Sequence, residues 1–133
     1  MSTMGEGTPQ PTRRPVRREV VASREFIMTQ ELYLVASGDS RLSANRVCWP
    51  AQEALETTLT RVFGELGKSV VRGHPFDPVK GHGFLDGQAQ GIEAFRHIDR
   101  DVPIIVATAV WQYTSHVLPG LIRHRAPILT VAN

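Results

Sequence analysis

Apolar residues in this chain fall into two alternating patterns: short unbroken runs, and longer stripes at helical spacing. The strongest run is 102–107, Val-Pro-Ile-Ile-Val-Ala. An unbroken run of this length, led by proline, predicts a strand buried on both faces. Further strands are expected at 31–37 (Glu-Leu-Tyr-Leu-Val-Ala-Ser), 69–72 and 127–131. Between the first two, Leu55, Leu59, Val62, Phe63 and Leu66 recur at helical spacing and predict the buried stripe of a helix. Pro50 suits the first turn of that helix, although a start near Ser43 is also compatible, and Gly67 suits its C-terminal cap. Asp86 is expected to cap a second helix that buries Ala89, Ile92, Phe95 and Ile98. Thr114 or Ser115 is expected to cap a short third helix through Val117, Leu118, Leu121 and Ile122, with Pro119 tolerated in its first turn.

Strand and helix therefore alternate four times. The pattern predicts an α/β fold with a parallel sheet of about four strands and right-handed helical crossovers, a flavodoxin-like three-layer arrangement. Residues 1–27 read as a disordered basic tail rich in proline and glycine, and 28–133 as the α/β domain. The last strand runs into Asn133 with no following element, so a truncated domain is expected.

Bulk composition narrows the function classes. The 133 residues carry 41% hydrophobic and 21% charged side chains, ordinary proportions for one globular domain. The net charge is +2. Arg13, Arg14, Arg17 and Arg18 concentrate basicity in the tail and leave the domain close to neutral, which argues against a nucleic-acid-binding face. A mitochondrial targeting role for the tail is disfavoured by Glu6, Glu19, Glu25 and its prolines. Cys48 is the only cysteine, which excludes an internal disulfide and fits a reducing compartment. No apolar stretch is long enough to span a bilayer, so a cytoplasmic location is expected.

In open parallel sheets, ligands sit beyond the carboxyl ends of the strands. Behind the 102–107 run, that position carries Trp111, Gln112, Tyr113, Thr114, Ser115 and His116. Flat apolar faces beside hydrogen-bonding groups suit a sugar-sized polar ligand; the plain alternative is that Trp111 and Tyr113 simply cover the sheet edge. The 73–86 loop is long, and such loops in compact domains are often functional. His74, His82, His97, His116 and His124 are scattered, and no two of them fall at i, i+4, so no metal site is expected within the chain. Neither Gly-x-Gly-x-x-Gly nor a P-loop spelling occurs. Gly38-Asp39-Ser40 follows a strand and resembles the first block of the Gly-Asp-Ser hydrolases, which would make Ser40 a nucleophile. That family's Asp-x-x-His pair and Gly-x-Asn-Asp block are missing here.

Residues 106–116 (Val-Ala-Thr-Ala-Val-Trp-Gln-Tyr-Thr-Ser-His) and 126–133 (Ala-Pro-Ile-Leu-Thr-Val-Ala-Asn) are similar to the N-terminal domain of the L-fucose isomerase family, in which a strand ends in a Trp-x-Tyr turn. The resemblance extends over about the last hundred residues. It implies an aldose–ketose isomerase of the L-fucose/D-arabinose type, homo-oligomeric at full length, with a monosaccharide substrate. It also implies manganese, held by Glu, Asp and His of later domains, which orients the C1 and C2 oxygens of the open-chain sugar. By this resemblance the first domain leans over a neighbouring subunit's site, with Trp111 closing the sugar pocket. A first-loop arginine contacts sugar in the family, and Arg41 and Arg46 are both candidates. Gln112, Tyr113 and Ser115 complete the expected substrate contacts. The chain itself holds no proton-transfer pair or cofactor and is expected to be inactive alone. Two other readings stay open: a Gly-Asp-Ser hydrolase fragment acting through Ser40, and a non-enzymatic α/β sugar-binding or assembly module.

Overall fold

The computed structural model describes residues 30–110 and 114–133. The tail assigned to 1–27, and Trp111, Gln112 and Tyr113, lie outside the described residues. Four parallel strands form one sheet: β1 (Glu31–Val35), β2 (Ser69–Arg72), β3 (Ile104–Thr108) and β4 (Ile128–Ala132), in the spatial order β2-β1-β3-β4. Helix α1 (Leu42–Glu65) joins β1 to β2, and α2 (Gln88–Arg96) joins β2 to β3. A 3-10 turn (Thr114–His116) and a short α3 (Leu118–Leu121) lead to β4.

Alternation along the strands assigns the two faces. Leu32, Leu34, Ala36, Ile105 and Ala107 pack with Trp49, Leu55, Leu59 and Phe63 of α1. Val35 and Ile104 pack with Ala94 of α2, Ile98 and Val117 on the opposite side. The layers are thus α1, the sheet, and α2 with α3. From β1 the chain steps one way to β2, then back past β1 to β3. Right-handed crossovers in opposite directions put their helices on opposite faces, and this is why both sides of β1 and β3 are covered.

Helix α1 begins at Leu42, in line with the start near Ser43 rather than with Pro50 in its first turn, so Pro50 lies inside it; three other boundaries depart from expectation. Pro50 is exposed, so the carbonyl four residues back, left without its amide partner, can turn to water. The far end follows the expected glycine cap: Gly67 takes φ +74, with its N–H on Gly64 O and the Lys68 N–H on Phe63 O, the paired bonds of a Schellman motif. Asp86 does not cap α2. Gly87 is its N-cap, while the Asp86 carboxylate accepts from Lys80 Nζ at 2.8 Å.

The buried face of α2 is also rotated from the expected one. Gly91, Ala94 and Ile98 are buried, whereas Ile92 is 42% exposed. A Cβ at Gly91 would lie 1.6 Å from His116 O, so the smallest residues set the closest approach. Finally, neither Thr114 nor Ser115 caps α3: its N-cap is Val117, with no side-chain cap bond. Pro119 does occupy its first turn.

Candidate functional site at the carboxyl edge of the sheet

Chain direction reverses across the sheet between β1 and β3, so the segments leaving these two strands diverge to opposite faces. A crevice at such a reversal is the usual ligand position in open α/β sheets. The two strand ends are tied together directly, because Thr108 Oγ1 donates to Ser37 O at 2.8 Å.

The loop after β1 is built around two fully buried polar residues, Asp39 and Asn45. Asn45 grips the Asp39 backbone twice: Asp39 N donates to Asn45 Oδ1 at 2.8 Å, and Asn45 Nδ2 donates to Asp39 O at 2.8 Å. Gly38 is required beside them, since a Cβ there would lie 2.5 Å from Phe84 Cβ and 2.7 Å from Asn45 Oδ1. The Asp39 carboxylate in turn holds Arg41. It accepts from Arg41 N at 2.8 Å, from Nε at 3.1 Å and from Nη2 at 2.6 Å. The Arg41 side chain remains 70% exposed. The side-chain hydrogen bonds from Arg41, reinforced by its backbone N–H, hold the Asp39 carboxyl at a pKa of about 2. A buried carboxylate, ionised at neutral pH, therefore orients a guanidinium fork on the loop leaving β1, and two-point pairing fixes its plane.

Arg46 faces elsewhere. Its Nε donates to Lys80 O at 2.8 Å and Nη2 to Val79 O at 3.3 Å, so it braces the 77–82 excursion against α1. That excursion carries an antiparallel bridge, Asp77 to His82, and the chain returns at Leu85 to pair with Ser37. The 73–86 loop is thus an extension of the β2 lane of the sheet. It is anchored by Arg72, which donates to Gly83 O and His74 O at 2.7 and 2.8 Å and pairs with Glu56 at 2.7 Å. His74 is buried and accepts the Ala36 N–H at Nε2, 3.0 Å. Burial, with the nearby Arg72 charge adding, pushes its pKa down to about 3.

The β3 end is clamped from α1. Gln52, fully buried, donates from Nε2 to Ala107 O at 3.2 Å and accepts the Ala109 N–H at 2.8 Å. His116 is buried, with Nδ1 3.2 Å from Leu85 O, and Ser115 beside it is exposed. The Ser40 side chain is exposed and has no hydrogen-bonded histidine among the described residues. Of the expected contacts, Arg41 and Ser115 therefore sit on the segments leaving β1 and β3, while Arg46 is turned onto the 79–80 carbonyls. Asp39, Asn45, Gln52 and Thr108 form the frame and went unrecognised from the sequence. For Asn45 and Gln52 a signal existed: with Cys48, Leu55 and Leu59 they share one helical stripe at steps of three and four.

Manganese requires a set of oxygen and nitrogen donors. Among the described residues no group of three or more His, Cys, Asp or Glu is arranged to hold a metal ion. Also among the described residues, no helix is long and apolar enough to cross a membrane. No protein-family model, curated protein or solved structure matches this chain.

Proposed function

We propose that this domain is the substrate-contacting and subunit-packing N-terminal domain of a metal-dependent aldose–ketose isomerase of the L-fucose/D-arabinose type, acting in the cytoplasm as part of a homo-oligomer. The observation that carries the reading is the Thr108–Ser37 bond. It joins the start of the loop that carries Arg41 to the end of the strand whose chain continues into Trp111, Gln112 and Tyr113. In this reading the Trp111 indole stacks on the C–H side of an open-chain sugar, and Gln112, Tyr113 and Ser115 address hydroxyls. Arg41, with its plane set by Asp39, is the first-loop arginine that contacts sugar, and Arg46 serves the loop instead. Hydroxyl-directed hydrogen bonds discriminate strongly between sugars because a missing partner leaves a polar group unpaired. Metal binding and proton transfer belong to parts of the enzyme outside this domain.

The test is a titration of the chain with L-fucose, D-arabinose and their open-chain alditols, followed by tryptophan emission. Trp49 is packed against Phe76 and Phe84 and contributes the background emission. A saturable change with L-fucitol, lost in Trp111→Phe and in Arg41→Ala, is expected. A response that persists in Trp111→Phe, or none with any of these ligands, contradicts the assignment.

A further inference from the structure

Arg96, Arg100 and Arg123 come from three separate backbone segments and line one cleft of about 280 Å³. Arg96 ends α2, Arg100 lies in the turn into β3, and Arg123 lies between α3 and β4. Turns leading into β3 and β4 are at the amino ends of those strands, so the cleft is at the opposite end of the sheet from the carboxyl-edge site. Arg96 is already paired with Glu93 at 2.8 Å. Arg100 and Arg123 have no side-chain partner among the described residues. The acids beside Arg100 are committed elsewhere: Asp101 takes Arg125 at 2.7 Å, and Asp99 Oδ1 accepts the Asp101 N–H. A basic residue in the last turn of a helix is favoured by the helix dipole. That accounts for Arg96 but for neither of the other two.

The remaining wall is apolar, from Ile92, Phe95 and Pro119. Gly120 lets α3 lie directly on the Phe95 ring, where a Cβ would come within 2.1 Å of it. We propose that this cleft binds a phosphate monoester carried on a flat apolar group. The two uncommitted guanidiniums, Arg100 and Arg123, come from separate segments and suit the oxygens of a phosphate dianion better than those of a singly charged carboxylate, with Arg96 adding positive charge at the rim. The volume, near the lower end for ligand pockets, suits one ring with its phosphate.

The full chain is titrated calorimetrically with phenyl phosphate, inorganic phosphate, benzoate and phenol. Phenyl phosphate is expected to bind about tenfold more tightly than any of the other three, since only it uses both the guanidiniums and the apolar wall. The Arg100→Gln/Arg123→Gln variant is expected to lose about tenfold or more in affinity for it, because the charged hydrogen bonds are gone. Both side chains are exposed, so its thermal midpoint stays that of the parent. Arg61→Gln, removing an exposed arginine of α1, controls for charge alone and binds as the parent does. Equal binding of phenyl phosphate and inorganic phosphate, or an unchanged affinity in the double variant, overturns the proposal. Neither result bears on the sugar reading of the opposite edge.

Discussion

Strands β3 and β4 lie side by side with nearly the same spelling, Pro-Ile-Ile-Val-Ala-Thr from 103 and Pro-Ile-Leu-Thr-Val-Ala from 127. All five residues of β3 are buried; in β4 four are exposed and one is partly so. In register, Ile104 faces Ile128 and Ile105 faces Leu129, so the contrast arises beyond the strands themselves. β3 has a strand on each side and helices on both faces, whereas β4 is the edge, paired only with β3. An apolar run thus specifies that a strand forms, and its neighbours decide whether it is buried. The same neighbours decide where polar groups are affordable: β3 ends in the Gln52 clamp, while no side-chain hydrogen bond among the described residues clamps the end of β4 from a helix.

The comparison is broken most directly by matched truncations. Ile105→Ala, at 2% exposure, is expected to cost about 2–5 kcal/mol in urea unfolding. Leu129→Ala, at 45% exposure, is expected to cost less than about 1 kcal/mol. Equal losses would mean that β4 is as covered as β3. Next in size is Gln52→Ala, which strips Ala109 N–H of its acceptor and leaves the α1–β3 clamp empty. A loss of about 1–3 kcal/mol is expected from the unpaired groups, measured the same way.

Acid sharpens the contrast further, because the buried lane beside β1 contains His74. With its folded pKa of about 3 below the ordinary 6.5, the unfolded chain binds a proton that the folded chain refuses. This contribution is complete above pH 6.5 and is lost as pH falls toward 3, by about 1.4 kcal/mol per pH unit. His82, also shifted down by burial, adds in the same direction. A His74→Gln variant should show a shallower decline between pH 6.5 and 5; an unchanged slope would place the effect elsewhere. The smallest change in stability is expected from Leu129→Lys at the edge, under about 0.5 kcal/mol. Sedimentation should nonetheless show less self-association, because a lysine blunts an exposed strand edge.

The four strands and their alternation with helices were legible because unbroken apolar runs and the Leu55-Leu59-Phe63 stripe obey simple periods. The face of α2 was misread because large residues draw attention, while contact is set by Gly91 and Ala94. Asn45 and Gln52 interrupt an apolar stripe with polar letters, and only their spacing betrays that they are buried. The Asp39–Arg41 fork had no periodic signature at all: it is an i, i+2 contact in a loop, and the Asn45 amide that holds the Asp39 backbone comes from the next helix. The exposure of β4 was equally unreadable, since it depends on what lies next to the strand rather than on the strand.

Ligand contact where the β1 and β3 segments diverge is tested most directly by amide chemical-shift mapping of the ¹⁵N-labelled chain with L-fucitol. Shifts confined to Ser37–Arg41 and to the residues following Thr108 through His116, and abolished by Asp39→Asn, are the predicted result. Shifts at Arg100 and Arg123, or a full response surviving in Asp39→Asn, would contradict it.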